Sequence, residues 1–407
     1  MTFDTHSIHR VPIELLRPDP ANPRRISDTE LDALERSIRE WGFVQPVLAR
    51  REDATVIGGH QRLVAARRLG LESVPVIWLD ISAEQGRLLG LALNRVSGEW
   101  DEQLLARLLV ELQGSVDLTL SGFDEDELKD LLRSLDAREK RERPESFDLD
   151  EALEAATRKP RTNPGDHWVL GDHRLLCGDA TKPEGLARLL DRQHAAMSFA
   201  DPPYNVAIGD HGGHQRGAKR RRIANDAMDP IAWEAFVRAW AKTLLAAVDG
   251  ALYICMSSKE LPLVARVLAE EGGHWSDFII WAEDRFTLGR SDLQRAYEPI
   301  WYGWREGTEH FWCGDRDQSD VWTIDRPSES PLHPTMKPLG LVERAITNSS
   351  RDGDLILDPF LGSGTTLIAA ERTGRVCAGI ELDPTYVDVA VARWERFSGQ
   401  IAVRFDG

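Results

Sequence analysis

No run of about 18 apolar residues occurs in the 407-residue chain, which argues against a membrane-spanning helix. The opening residues, MTFDTHSIHR, lack the apolar stretch of a secretory signal, so a cytoplasmic location is expected. Cysteine is scarce: Cys177, Cys255, Cys313 and Cys377 lie far apart and form no CxxC pair and no compact Cys/His ligand set. That spacing speaks against a disulfide framework and against a metal site, and points to scattered buried thiols in a reducing compartment. An excess of positive charge is missing too. The formal net charge of −17 argues against binding nucleic acid by bulk electrostatics.

What is present reads as a soluble, globular chain of two or three domains, with 42% hydrophobic and 29% charged residues. Residues 10–80 alternate strand-like and helix-like segments. "VPIELLRP" reads as a short strand ending at Pro18, "SDTELDALERSIREWG" as a helix capped near Ser27 and stopped by Gly42, and "VQPVLARR" and "ATVIGG" as two strands around a turn. Residues 82–136 carry helical spacing in three pieces. Residues 137–165 are charged, poor in large apolar groups and bounded by prolines, which reads as a linker. From about 166 strands alternate with helices, the pattern of a largely parallel sheet. One cluster opposes the overall acidity: "RGAKRRR", Arg216 to Arg222, holds five positive charges and no acid. It fits a local nucleic-acid contact or a solvated loop equally well.

"LILDPFLGSGTT" has the strand–glycine turn–helix shape of a cofactor crevice. Gly362 and Gly364 allow a sharp bend and close approach of a ligand, and Thr365 and Thr366 open a helix whose free N–H groups favour an electronegative group. No GK[ST] follows and no full GxGxxG is formed, so a tight structural turn remains open as a reading. Glu381, seventeen residues past Gly364 at the end of the next strand, strengthens the ligand reading. An acid there can accept from a ribose diol.

"FADPPYNV", Phe199 to Val206, places an acid, two prolines and an aromatic after an apolar run. The prolines lack N–H groups and fix φ, so the ladder stops and the Asp201 carboxylate and Pro202 carbonyl are held at the carboxyl edge of the sheet. Two acceptors suit an exocyclic amine on a planar base, whose lone pair is delocalised until hydrogen bonding draws it out, and Tyr204 offers a stacking face. Such a base must first leave the duplex.

These stretches together resemble the amino-methyltransferases of DNA, in the permuted order with the catalytic motif first. The two motifs lie about 155 residues apart, within a similarity covering Asp166 to Phe397. "LGDHRLLCGDAT", "IANDAM", "YEPIWYGW" and "HPTMKP" fit the same family. The resemblance implies an α/β, Rossmann-like methyltransferase sheet at 166–407 and S-adenosylmethionine as cofactor. Asp179, Lys337, Asp358, Phe360, Gly362, Gly364, Thr365 and Glu381 would then bind the cofactor, while Asp201, Pro202, Pro203 and Tyr204 would act on the target. It implies DNA as partner and a restriction–modification setting. Lys219, Arg220, Arg221 and Arg222, beside His211 and His214 in the loop after the catalytic strand, are read as contacts to the DNA backbone, with a loop disordered without DNA as the other reading. Trp312 and Arg316, in Gly303–Trp322, fall where this family reads its target, with ordinary packing as the other reading.

"IELLRPDPANPRR", "GFVQPV" and "VIGGHQRLVAARRLG" resemble the ParB-like N-terminal domain over 8–80, a small α+β module. Gly58, Gly59 and Arg62 would form its phosphate site, either working on a nucleotide or vestigial. The turn "GGHQR" has no cysteine, which excludes the sulfiredoxin chemistry of related domains. Helical residues 81–136 follow as a candidate DNA-binding or homodimer element, though acids dominate from 101 on. The expected function is methylation of adenine in DNA. The alternatives are cytosine N4 methylation, an RNA substrate, and a ParB-like DNA-binding regulator whose methyltransferase half is not catalytic.

Overall fold

The structure, a computed structural model, describes residues 7–22, 24–25, 28–94, 99–100, 102–112, 133, 136–137, 140–145, 147–206, 225–287, 292–324 and 336–405. The chain divides into two compact units, Met1–Leu135 and Asp136–Gly407.

The first unit contains β1 (Ile8–Pro12), β2 (Arg17–Pro18), β3 (Arg24–Arg25), α1 (Asp28–Trp41), β4 (Val47–Arg50), β5 (Thr55–Gly58), α2 (His60–Arg68), β6 (Ser73–Leu79), α3 (Ala83–Asn94), β7 (Glu99–Trp100) and α4 (Glu102–Leu112). Five strands form a sheet in the order β1-β6-β4-β5-β2. Alternating apolar residues on β4, β5 and β6 bury Val47, Ala49, Val56, Val74 and Val76 against Leu63 and Ala66 of α2. "VPIELLRP" is not one strand: Pro12 ends β1, and a single 3₁₀ turn over Ile13–Leu15 separates it from β2. Proline cannot donate to the ladder beyond that point.

The second unit contains α5 (Leu149–Arg158), β8 (His167–Leu170), β9 (His173–Cys177), α6 (Pro183–Leu190), β10 (Ala195–Ala200), α7 (Pro230–Ala247), β11 (Val248–Cys255), α8 (Leu261–Glu270), β12 (Gly273–Thr287), β13 (Arg295–Arg305), β14 (Val321–Thr323), α9 (Leu339–Ser349), β15 (Leu355–Asp358), α10 (Thr365–Thr373), β16 (Val376–Glu381), α11 (Pro384–Ser398) and β17 (Val403–Phe405). They build a ten-stranded sheet, β14-β12-β13-β11-β10-β15-β16-β9-β8-β17. The run β11-β10-β15-β16-β9 is parallel, and β13 and β8 flank it antiparallel. The central strands are apolar on both faces, as a sheet covered by helices on each side requires. Trp233 and Trp240 of α7 lead the core on one face, and Leu341, Val342, Ala345 and Ile346 of α9 the core on the other. Aspartates cap three helices: Asp148 accepts from Glu151, Asp229 from Ile231 and Ala232, and Asp383 from Thr385.

Residues 137–165, expected as a linker, include packed structure. Leu149 and Ala156 of α5 are buried against Val389 of α11. Arg161 pairs with Glu395 at 2.8 Å, and the Arg143 guanidinium donates to the Phe397 carbonyl at 2.7 Å. Part of that charge is spent on α10 and α11, through Lys140 with Glu371 and Arg161 with Glu395, while Glu142, Asp150, Glu154 and Arg158 stay exposed. Of the cysteines, Cys177, Cys255 and Cys377 are buried free thiols, whereas Cys313 is exposed.

Candidate active site

β10 and β15 are adjacent and parallel, with Met197 opposite Ile356 and Ser198 opposite Leu357. Their carboxyl ends therefore emerge on one rim, although 157 residues separate Asp201 from Asp358 in the chain. From β10 the chain crosses to β11 on one side, and from β15 to β16 on the other, so the crevice between them is the switch point of the sheet. A cavity of about 350 Å³ opens there, lined on one side by Asp201 to Tyr204, Glu298 and Lys337, and on the other by Asp179, Asp358, Phe360, Gly362 and Glu381. Its size suits a small-molecule site.

The catalytic-motif side is a compact charged cluster. The Lys337 ammonium donates to Asp201 at 2.9 Å and to the Tyr204 hydroxyl at 3.0 Å, and lies 2.9 Å from Glu298 Oε1. The Tyr204 hydroxyl lies 2.6 Å from both Asp201 Oδ1 and Glu298 Oε1. Burial alone would lower the Lys337 pKa, but Asp201 and Glu298 reverse this and raise it. Burial and the same two acids push the Tyr204 phenol far above its usual range. Asp201, Cys255 and Glu298 have potential ligand atoms within 4.8 Å of one another. The ammonium of Lys337 already bridges the two carboxylates, so this seat carries a cation from the chain itself. Beyond the motif, the side-chain amide of Asn205 donates to the Met228 carbonyl and its oxygen accepts from the Met228 N–H, fastening the corner to 225–228.

The opposite side is built on the glycine turn. Gly364, at φ +87°, caps α10, and an added Cβ would stand 3.1 Å from the Ala390 Cβ. Gly362, at φ +54°, donates its N–H to Glu381 Oε2 at 2.8 Å, while the Asp383 N–H reaches Oε1 at 2.8 Å. Burial raises Glu381 to about 7 in spite of those bonds, and raises Asp358 to about 7 in spite of donors from Thr366 and Phe360. Phe360 is held edge-on by Trp240, with ring centroids 5.9 Å apart. Asp179 Oδ1 accepts from the Thr181 N–H at 2.9 Å and hydroxyl at 2.7 Å. Beneath the turn, buried Arg393 donates to the Ser363 carbonyl at 3.1 Å and the Thr365 hydroxyl at 3.3 Å, and pairs with Glu145 at 3.0 Å.

The geometry thus gathers the expected residues of both motifs, with two differences. Lys337, expected beside the cofactor, spends its ammonium on the Asp201 corner. Gly364 shapes the turn without lining the cavity. Lys219, Arg220, Arg221 and Arg222, with His211 and His214, lie outside the described residues. Trp312 packs against Tyr302, with centroids 6.2 Å apart, rather than standing free as a wedge, while Arg316 is exposed. Glu298 was missed. Its one signal was an acid in the middle of an aromatic strand, "AYEPIWYGW". Arg393, Glu145 and Leu149 gave no local signal.

In the first unit Gly58, Gly59 and Arg62, the expected phosphate residues, sit where β5 turns into α2 and do not line the cavity of that unit. The Arg62 guanidinium donates to the Gln45 and Pro46 carbonyls at 2.6 and 3.0 Å, and a Cβ on Gly58 would meet Leu48 and Leu93. That cavity, of about 360 Å³, is lined instead by Arg17, Asp19, Arg50, Asp53, His60 and Arg87, among others. Burial drives His60 down to about 4 there, and its Nε2 lies 3.3 Å from the Asp19 N–H.

Comparison with known proteins matches residues 195–392 to a family described as DNA methylase, 1–94 to the ParB N-terminal domain and 103–164 to the ParB-methyltransferase HTH domain. The chain is 31% identical over 222 residues to the Type II methyltransferase M2.DpnII of Streptococcus pneumoniae, covering 49% of this chain and 82% of that protein. It is 28% identical over 219 residues to the Type II methyltransferase M2.LlaDCHI of Lactococcus lactis subsp. cremoris, covering 48% and 81%. Among solved structures, the M1.HpyAVI–SAM complex aligns with a TM-score of 0.40 and 22% identity, over 54% of this chain and 98% of that one.

Proposed function

The chain belongs to the DNA methylase family and carries a ParB-type domain at its N-terminal side; on that premise we propose that it moves a methyl group from S-adenosylmethionine to the exocyclic amino group of adenine in DNA. One observation carries the reading: Asp201 and Glu381 line a single cavity at the switch point of the sheet.

The residues fit the cofactor. Glu381, anchored by two backbone N–H groups, presents a carboxylate edge to ribose hydroxyls, and Phe360 and Gly362 bound the space beside it. S-adenosylmethionine supplies an electrophilic methyl on a sulfonium, open to in-line displacement. Asp201 and the Pro202 carbonyl accept the two hydrogens of the target amine and draw its lone pair out of the ring. Tyr204 offers its ring to the flipped base. The one proton that the methylated amine sheds would pass to Asp201 or to solvent in the open cavity. No covalent enzyme intermediate is required, so positioning supplies the main rate gain.

The acid in the Asp-Pro-Pro-Tyr motif supports adenine over cytosine. For the first unit, Arg17, Arg50 and Arg87 line its cavity and support a phosphate-bearing nucleotide, although Arg50 is held by Asp53 at 3.0 Å and Arg87 is paired with Asp19 and Glu111. The test is direct. Unmethylated DNA is incubated with protein and cofactor, digested to nucleosides and analysed by mass spectrometry. N6-methyladenine is expected. N4-methylcytosine would replace the adenine reading, and no modified base at all would overturn the methyl-transfer reading.

A further inference from the structure

The cluster around Asp201 holds more hydrogen-bonding groups than amine recognition needs. The Tyr204 phenol has one hydrogen, yet two carboxylate oxygens stand 2.6 Å from it, Asp201 Oδ1 and Glu298 Oε1. It can serve only one at a time. The Lys337 ammonium has three hydrogens and three partners at 2.9 to 3.0 Å: Asp201, Glu298 and the Tyr204 oxygen. Its donors are therefore fully used inside the cluster. Glu298 is also well shielded, with a side chain 12% exposed against 27% for Asp201. Asp201 is the more open of the two towards the cavity.

We propose that Glu298 is a positioning residue for methyl transfer: it takes the Tyr204 hydrogen and one Lys337 hydrogen, so that Asp201 keeps an acceptor free for the target amine and the Tyr204 ring is tethered through its hydroxyl. Glu298 touches neither cofactor nor base in this account. It acts through Asp201 and Tyr204. Take Glu298 away, and the phenol hydrogen and the ammonium both fall on Asp201, which then has less accepting capacity for the amine. The effect belongs in turnover and not in cofactor affinity, because Glu381 and the glycine turn are untouched.

The proposal rests on the methyl-transfer reading, and its test separates the two. Parent protein, Glu298→Ala and Glu298→Gln are assayed in full-length form for methylation of unmethylated DNA, and their cofactor Kd is measured by calorimetry. Glu298→Ala should lower kcat by about 10- to 100-fold, the range seen when hydrogen-bond partners of metal ligands are lost and taken here by analogy, with cofactor Kd within about threefold of the parent. Glu298→Gln, which keeps an oxygen for the phenol hydrogen, should recover most of that loss. Parental kcat in Glu298→Ala overturns the proposal alone, as does a glutamine variant no better than alanine. An inactive parent removes the methyl-transfer reading and the proposal with it.

Discussion

Among the described residues two strand–glycine–helix turns share a local geometry and differ in their surroundings. In the first unit β5 runs through Gly58 and Gly59 into α2, with Gly59 at φ +91°. In the second β15 runs through the 361–364 turn into α10, with Gly364 at φ +87°. Locally they are the same device: a left-handed glycine stands at the N-cap of a helix. Their surroundings differ. The first turn is closed by its own helix, since Arg62 folds back against Gly59 and bonds two carbonyls. The second is braced from beneath by Arg393, which bonds the Ser363 carbonyl and leaves the upper side to the cavity. On the proposed reading, the cation beside the second turn supports the backbone from outside and leaves its upper side open to a ligand.

The largest effect should come from breaking the open turn. Gly364→Val forces a branched side chain into φ +87° and against the Ala390 Cβ at 3.1 Å. Cofactor affinity measured by calorimetry should drop by more than about 100-fold, since displacing the turn costs a few kcal/mol. Gly59→Val makes the same backbone error, but its Cβ meets only the movable tip of Arg62. It should cost about 1–2 kcal/mol of stability, read in the urea unfolding of the first unit, with methylation unchanged. Equal damage to methylation from both would erase the contrast.

A pH titration sharpens it next. Asp358 and Glu381 both sit at about 7, above their ordinary values of 3.8 and 4.5. The folded protein without ligand therefore holds these protons more tightly than the unfolded chain. By linkage their contribution to stability is present below about 4 and declines as pH rises towards 7. Ribose hydroxyls and a sulfonium prefer the ionised carboxylates, so cofactor affinity should rise by roughly 10-fold between pH 6 and pH 8, then level off. A flat profile would contradict the assignment of Glu381. Near the first turn His60 is held down at about 4, so nothing at that turn should titrate over this range.

The smallest change is Arg62→Ala. It removes two hydrogen bonds to carbonyls and should cost about 1 kcal/mol, seen as a lower thermal midpoint of the first unit without loss of cofactor affinity in the second.

Both turns were readable in the sequence, because Gly-Gly-His and Gly-Ser-Gly-Thr between a strand and a helix are local patterns. So was the Asp201 corner, where paired prolines after an apolar strand leave few alternatives. What closes or opens each turn was not readable. Arg62 lies three residues from Gly59 yet bonds carbonyls across the sheet at 45 and 46. Arg393 lies 29 residues beyond Gly364, and its partner Glu145 lies in a segment whose charge suggested a linker. Lys337 stands in the segment before the glycine turn, but its ammonium reaches the end of another strand. Glu298 sat unremarked in an aromatic strand, because its meaning depends on β13 lying beside β11 and so near the rim of β10. Such pairings are properties of the sheet, and no window of sequence contains them.

The most direct test of a single cavity with two chemical sides is a paired measurement on Asp201→Ala and Glu381→Ala, each scored for S-adenosylmethionine affinity by calorimetry and for methyl transfer to unmethylated DNA. Asp201→Ala should bind cofactor as the parent does and transfer no methyl groups, whereas Glu381→Ala should lose cofactor affinity by at least about 10-fold. Methyl transfer that survives in Asp201→Ala, or cofactor affinity that survives in Glu381→Ala, would contradict it.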